Sequence, residues 1–188
     1  MGKILFILLL VLISFCSFSQ ITTSMKNNYE KEISISYVVL YPDEYLPSLE
    51  LSVRKIISPS FSIGVGVSEI YFRYLEKMYI PVFADAIIYI GKKKRLGLNT
   101  QVGYGFFNHT FIGKYVSGPG DVVVKRKGSY YLSAGPKYSF NINNRKFNCS
   151  VNLMHPSTKY SLYIEDIQKT TSYVENNPAI NVKIGFAF

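Results

Sequence analysis

The stretch Leu96 to Phe106 reads LGLNTQVGYGF, and its faces separate completely at every second residue. Leu96, Leu98, Thr100, Val102, Tyr104 and Phe106 fall on one side; Gly97, Asn99, Gln101, Gly103 and Gly105 fall on the other. Alternation of this kind is the signature of a β-strand with two unlike faces, because successive side chains of a strand point in opposite directions. One face is greasy and the other small or polar. The run Ile180 to Phe188 repeats the pattern, with Ile180, Val182, Ile184, Phe186 and Phe188 set against Asn181, Lys183, Gly185 and Ala187.

Before and between these two runs, similar alternation predicts strands at about 31–41, 48–57, 60–73, 78–90, 128–141 and 146–155, eight in all with them. Tyr79 to Ile90 is apolar on both faces apart from Asp85, and Glu69 interrupts the pattern near Phe61, suggesting a bulge or a membrane edge. The short Gly64-Val65-Gly66 run lacks the setting of a phosphate-binding loop and supplies small residues on the less apolar face.

The chain begins with Lys3 before an apolar run that starts at Ile4 and continues toward Phe15, then Ser17-Phe18-Ser19. This is the pattern of a cleaved export signal over residues 1–19, leaving a barrel domain over 20–188. An alternative reading of the same segment makes Cys16 a lipidated residue, although bulky Phe15 stands before it. Removal of the signal leaves Cys149 as the one cysteine, so no intramolecular disulfide is expected to hold the domain. The net charge of +9 would suit nucleic acid, but an exported chain meets lipid headgroups, phosphates and acidic glycans instead. Nucleic acid is therefore not an expected partner.

No other stretch has the apolar length of a membrane-spanning helix, so insertion would have to use strands. The connections alternate in length, as they do in outer-membrane barrels with short periplasmic turns and longer outer loops. The short ones are Ser58-Pro59-Ser60, Gly91 to Arg95 and Ile142 to Arg145; the long ones are His109 to Lys127 and Pro156 to Pro178, with shorter outer connections around Pro42 to Pro47 and Tyr74 to Lys77. Both termini then lie on the short-turn side. Aromatic residues concentrate at membrane interfaces. Tyr37, Tyr41, Tyr71, Tyr74, Tyr79, Tyr104 and Phe106 are expected at the outer rim, and Phe61, Tyr89, Tyr138, Phe140, Phe186 and Phe188 at the inner one.

With these strands, alternating connections and a last strand ending on Phe186 and Phe188, the chain resembles the small OmpA-type and OmpX-type outer-membrane barrels over nearly its whole mature length. The resemblance implies an all-β fold, an eight-stranded antiparallel up-and-down transmembrane barrel, in the outer membrane of a Gram-negative bacterium. It also implies contact with outer-membrane lipids and lipopolysaccharide, and recognition of the last strand through Phe186 and Phe188 by the barrel-assembly machinery. Lys183 departs from that signal by replacing an expected Gly, with Gly185 nearby.

A barrel of eight strands has an interior just wide enough to be filled by side chains. Glu32, Glu50, Arg54, Asp85, Lys137 and Lys183 are expected to point inward as a network of pairs, since buried charges need partners. The basic runs Lys92 to Arg95 and Lys125 to Lys127 read as solvated turn and loop chemistry. A lone Cys and two separated His give no metal site, and no cofactor motif is present. The leading function is non-enzymatic, a structural or surface-binding barrel whose loops 109–127 and 156–178 take an extracellular ligand.

Two other readings stay open at this point. His155 and Ser157, with Glu165 or Asp166 following, resemble the His-x-Ser and acid set of outer-membrane lipid A deacylases, although Pro156 intervenes and Thr158 stands where that family has Asn. His109 begins a long outer loop and has no evident partner. A secreted soluble barrel of lipocalin type would show the same alternation with its faces exchanged, because alternation does not say which face is inside.

Overall fold

The structure, a computed structural model, describes residues 28–40, 44–72, 77–91, 95–107, 113–115, 122–164, 169–176 and 178–188. They form ten strands: β1 Tyr29–Leu40, β2 Glu44–Ser58, β3 Phe61–Phe72, β4 Lys77–Ile90, β5 Leu96–Phe107, β6 Gly113–Tyr115, β7 Val122–Ile142, β8 Arg145–Ile164, β9 Lys169–Asn176 and β10 Ala179–Ala187. Eight of them, β1 to β5 with β7, β8 and β10, pair antiparallel in a ring. Pairing of β7 with β8 and of β1 with β10 leaves no open edge. Phe188 is tied to β1 by reciprocal backbone bonds with Lys31, of 3.0 and 2.9 Å.

The stagger of the ring follows from one row of paired residues. From Glu30 it runs through Arg54, Gly64, Asp85, Gln101, Ser133, Met154 and Ala179, and returns to β1 at Leu40, ten residues farther along the strand. A row that climbs this far in one circuit requires strands tilted to the barrel axis, since tilt, stagger and strand number are linked in a closed sheet.

Turn chemistry fixes the short-turn end. Asn143 and Asn144 both have positive φ, 49° and 61°, so β7 and β8 are joined by the two-residue turn whose twist matches that of the strands it links. Gly91 has a φ of 78°, a conformation that a Cβ would strain.

The two faces settle the question that alternation leaves open. Ile35, Val65, Leu153 and Ile184 are 65%, 64%, 73% and 57% exposed on the outer wall, while Glu50, Arg54, Asp85, Gln101 and Lys183 are buried inside. An apolar exterior around a charged interior is the reverse of a soluble barrel, and a patch that size is not left in water. It is the arrangement of a barrel bounded by hydrocarbon. The faces therefore exclude the lipocalin-like reading.

Several expectations need correction. The spans 109–127 and 156–178 are not simply loops: they contain β6, the first residues of β7, the last of β8 and all of β9. A transmembrane strand needs only about 9–11 residues, whereas β7 has 21 and β8 has 20. The surplus of β7 and β8 stays paired, with Val122 to Gly128 against Thr158 to Ile164, and β6 and β9 flank them. These four segments form a sheet that projects beyond the outer rim.

Tyr79 and Tyr89 also depart from the girdle placement. Both lie on the face of β4 shared with Phe83, Asp85 and Ile87, which is the inner one, and Tyr79 is 1% exposed. No bulge occurs at Glu69, which sits on the outer face; pairing of β3 with β4 lapses beside Pro81, which has no N–H to donate. The register shifts lie instead at Ile56 to Ser58 and at Ser129 and Tyr130, which together oppose the single Ser157 of β8. Residues 1–19, Tyr41, Tyr74, Lys92 to Lys94, His109, Glu165 and Asp166 lie outside the described residues.

Candidate functional site

The interior is layered, and the layers follow from which residues each strand turns inward. Near the short-turn end, Arg54 projects from β2 and is 1% exposed. Its guanidinium donates from Nη1 to Asp85 Oδ2 at 2.6 Å and to Ser52 Oγ at 3.0 Å. From Nη2 it donates to Glu30 at 3.0 Å and to Glu32. Glu32 also accepts from Lys137 Nζ at 2.5 Å and from Asn148 at 3.0 Å, and Asp85 accepts from Asn99 at 2.6 Å. Lys146 closes the cluster at the rim by pairing with Glu30 and lying against Tyr89.

A second network sits farther out. Lys183 Nζ donates to Glu50 Oε2 at 2.8 Å and to Gln101 Oε1 at 3.3 Å. Gln101 gives its amide N–H to Glu50 at 2.9 Å and accepts from the Tyr131 hydroxyl at 3.1 Å. The amide orientation is thereby fixed, since its oxygen faces two donors and its nitrogen a carboxylate. Among the described residues, Glu30, Glu32, Glu50 and Asp85 are balanced by Arg54, Lys137, Lys146 and Lys183.

Toward the outer rim the interior turns apolar. Val38, Leu40, Leu46, Ile70, Tyr79, Phe83, Tyr131 and Met154 pack together, each buried to within 8% of full burial. The Phe83 and Tyr131 rings lie 5.6 Å apart, and Tyr79 meets Phe107 at 5.0 Å. Ionic clusters below and a packed apolar layer above fill the barrel along the described strands, as expected for a ring of this size.

On the outside, Tyr138, Phe140, Phe147, Phe186 and Phe188 form a continuous line of rings at the short-turn end, with centroids 6.1, 5.9, 5.5 and 5.7 Å apart in sequence. Phe186 on β10 and Phe188 just beyond its end are two of the five.

The His155 and Ser157 arrangement differs from a nucleophile and base. Ser157 is fully buried, and its hydroxyl donates to the Tyr130 carbonyl at 2.7 Å, across the register shift between β7 and β8. His155 is half-buried on the outer face and lies against the Tyr130 ring at 6.2 Å, and its Nδ1 has no hydrogen-bond partner among the described residues. Glu165 lies outside the described residues. Among the described residues, no group of three or more His, Cys, Asp or Glu side chains converges as metal ligands would.

Comparison with known proteins fits this geometry. No protein-family model matches the chain, and no curated protein matches it. Solved structures do. The outer membrane protein OprG from Pseudomonas aeruginosa is similar over 87% of this chain and 97% of its own, with 14% identity and a TM-score of 0.56. The outer membrane protein AlkL, solved in lipid bilayers, is similar over 89% of this chain and 94% of its own, with 11% identity and a TM-score of 0.57. The fold is that of the small eight-stranded outer-membrane β-barrels.

The sequence pattern contained much of the lumen but not its partners. Glu32, Glu50, Arg54, Asp85, Lys137 and Lys183 all lie inside. Gln101, which bridges Lys183 and Glu50, Tyr131, which donates to Gln101, and Glu30 and Lys146 are not among the residues the sequence singles out as a site. The inward phase of each strand was the signal available for them.

Proposed function

We propose that this protein works in the outer membrane of a Gram-negative bacterium as a closed, non-enzymatic anchor that holds a rigid sheet outside the cell for binding an extracellular partner. The carrying observation is that β7 and β8 continue as paired strands beyond the length a membrane needs, flanked by β6 and β9. Flexible loops would leave a binding surface to be ordered at the moment of contact; strands already paired remove much of that cost. The interior supports the anchor reading, since among the described residues balanced ion pairs and a packed apolar layer occupy the lumen.

Export by residues 1–19 and assembly through Phe186 and Phe188 belong to the same reading. The ring line that includes both residues supports the second of these, because it sets the two rings of the chain's end into a continuous aromatic surface with β7 and β8. The lipid A deacylase reading is less well supported, given that the Ser157 hydroxyl is engaged by a backbone carbonyl.

The test compares intact cells carrying the full chain with cells in which residues 108–127 and 159–174 are each replaced by Asn-Gly. Expected are equal amounts of heat-modifiable barrel, no steady conductance of either protein in planar bilayers, and adhesion to immobilised acidic or neutral glycans by the full chain alone. Equal adhesion by both, or a steady current through the wild-type protein, would contradict the proposal.

A further inference from the structure

The row Gln101, Ser133, Met154 and Ala179 turns its side chains inward, so on the outer wall its backbone is the floor between two rows of outward side chains. One bordering row is Thr100, Ala134 and Leu153; the other is Val102, Leu132 and His155, ending at Pro178. Ala134 and Thr100 are small, whereas Leu153 and Val102 stand 73% and 59% exposed. The result is an apolar furrow of about 420 Å³ crossing β5, β7, β8 and the start of β10.

Its course is set by the stagger of the barrel. The row begins at Gln101, midway along the climb from Glu30 to Leu40, and ends at Ala179, paired with Leu40 at the outer end of β1. The furrow therefore descends from the outer rim to the middle of the wall. Three inter-strand spacings make it about 14 Å long; running across strands tilted about 40°, it descends roughly 9 Å into one leaflet of a hydrocarbon core about 30 Å thick. Its upper end is polar: His155 lies against Tyr130, whose hydroxyl donates to Asn176 at 2.6 Å. Its lower end has only Thr100 as a polar side chain.

We propose that this furrow is a binding site for one acyl chain of an outer-leaflet lipid A molecule, with the sugar end of the lipid at His155 and Tyr130 and the chain tip at Thr100 and Val102. The inference rests on the membrane reading above. Hydrocarbon is what bounds this wall, the furrow descends from the outer rim into the outer leaflet, and its polar end is the one at the outer surface. Burying methylenes against a shaped groove rather than among mobile neighbours retains the lipid through added contacts.

The probe is vesicles of phosphatidylethanolamine and lipid A, from which reconstituted protein is extracted in mild detergent and weighed by native mass spectrometry. Wild type and Val65→Phe, on the opposite wall, should retain one lipid A. Ala134→Phe and the milder Ala134→Leu, which fill the furrow, should retain it about tenfold less, the effect of losing contacts worth roughly two buried methylenes. Equal retention by all four proteins, or loss with Val65→Phe as well, overturns the furrow. Failure of the wild type to insert into the vesicles overturns the membrane reading itself, and heat-dependent gel mobility separates that outcome from the others.

Discussion

Arg54 and Asp85, on β2 and β4 and not adjacent in the ring, meet inside the barrel through a 2.6 Å bond from guanidinium to carboxylate, with side chains 1% and 0% exposed. The contact spans β3 between them. It is possible because β3 turns Gly64 inward at that level, opposite both Arg54 and Asp85 in the pairing row.

Removing the guanidinium leaves Glu32 and Asp85 buried without their shared cation. Arg54→Met should lower stability by about 3 kcal/mol or more, the cost expected when one member of a buried charge network is deleted. Arg54→Lys should recover only part, because one ammonium cannot reproduce the fork that engages Asp85 with one nitrogen and Glu30 and Glu32 with the other. Denaturant titration of heat-modifiable mobility reads both. A variant as stable as wild type would show that the network contributes nothing.

Gly64 is the second requirement of that contact. A Cβ there would lie 2.0 Å from the Val53 carbonyl oxygen and 2.6 Å from the Arg54 Cα, both backbone atoms that cannot swing away. Gly64→Ala should cost about 1–3 kcal/mol, the usual range for forcing extra volume into a packed interior. Gly97→Ala, whose Cβ would meet its nearest atom at 3.0 Å, should cost less. The order of the two midpoints in urea checks the argument.

The turn at Asn143 and Asn144 makes a separate claim about local conformation. Replacing Asn144 by Gly, which reaches positive φ without strain, should leave the barrel stable to within about 1 kcal/mol. Asn144→Val puts a β-branched residue at a φ of 61° and should slow or reduce barrel formation. Refolding into lipid vesicles, followed by gel mobility, compares the two; equal refolding by the Val variant would contradict the turn assignment.

How much of this was legible in the sequence can be judged from particular residues. Leu96 to Phe106 displays both faces because its inward positions are all Gly, Asn or Gln. The same logic carries Glu50, Arg54 and Lys183 to the inner face. Period two assigns a face but not a height or a partner, so the meeting of Arg54 with Asp85 could not be read from it. Tyr79 and Tyr89 read as girdle residues in the sequence because an aromatic ring suits a rim as well as a packed lumen. The projecting strands were obscured for a related reason: beyond the membrane both faces of a sheet meet water, and Lys125-Arg126-Lys127 or Thr170-Thr171-Ser172 then carry no alternation.

The projecting sheet should be separable from the barrel. With residues 108–127 and 159–174 each replaced by Asn-Gly, the eight-stranded ring keeps its pairing from β1 to β10 and should remain folded, with stability within about 2 kcal/mol of wild type, as insertions and deletions at strand ends are often tolerated. Far-ultraviolet circular dichroism and heat-modifiable mobility test this. Loss of the barrel would mean that the projection is part of the folding unit.

The central claim is that the outer wall carrying Ile35, Val65 and Ile184 faces hydrocarbon while the charged lumen does not. The chain contains no Trp, so a single Trp at each of these positions is an unambiguous reporter. In vesicles whose phospholipids carry brominated acyl chains, the account predicts strong quenching of Ile35→Trp, Val65→Trp and Ile184→Trp and little effect of aqueous iodide. Quenching by iodide with no response to bromine would place this wall in water and contradict the account.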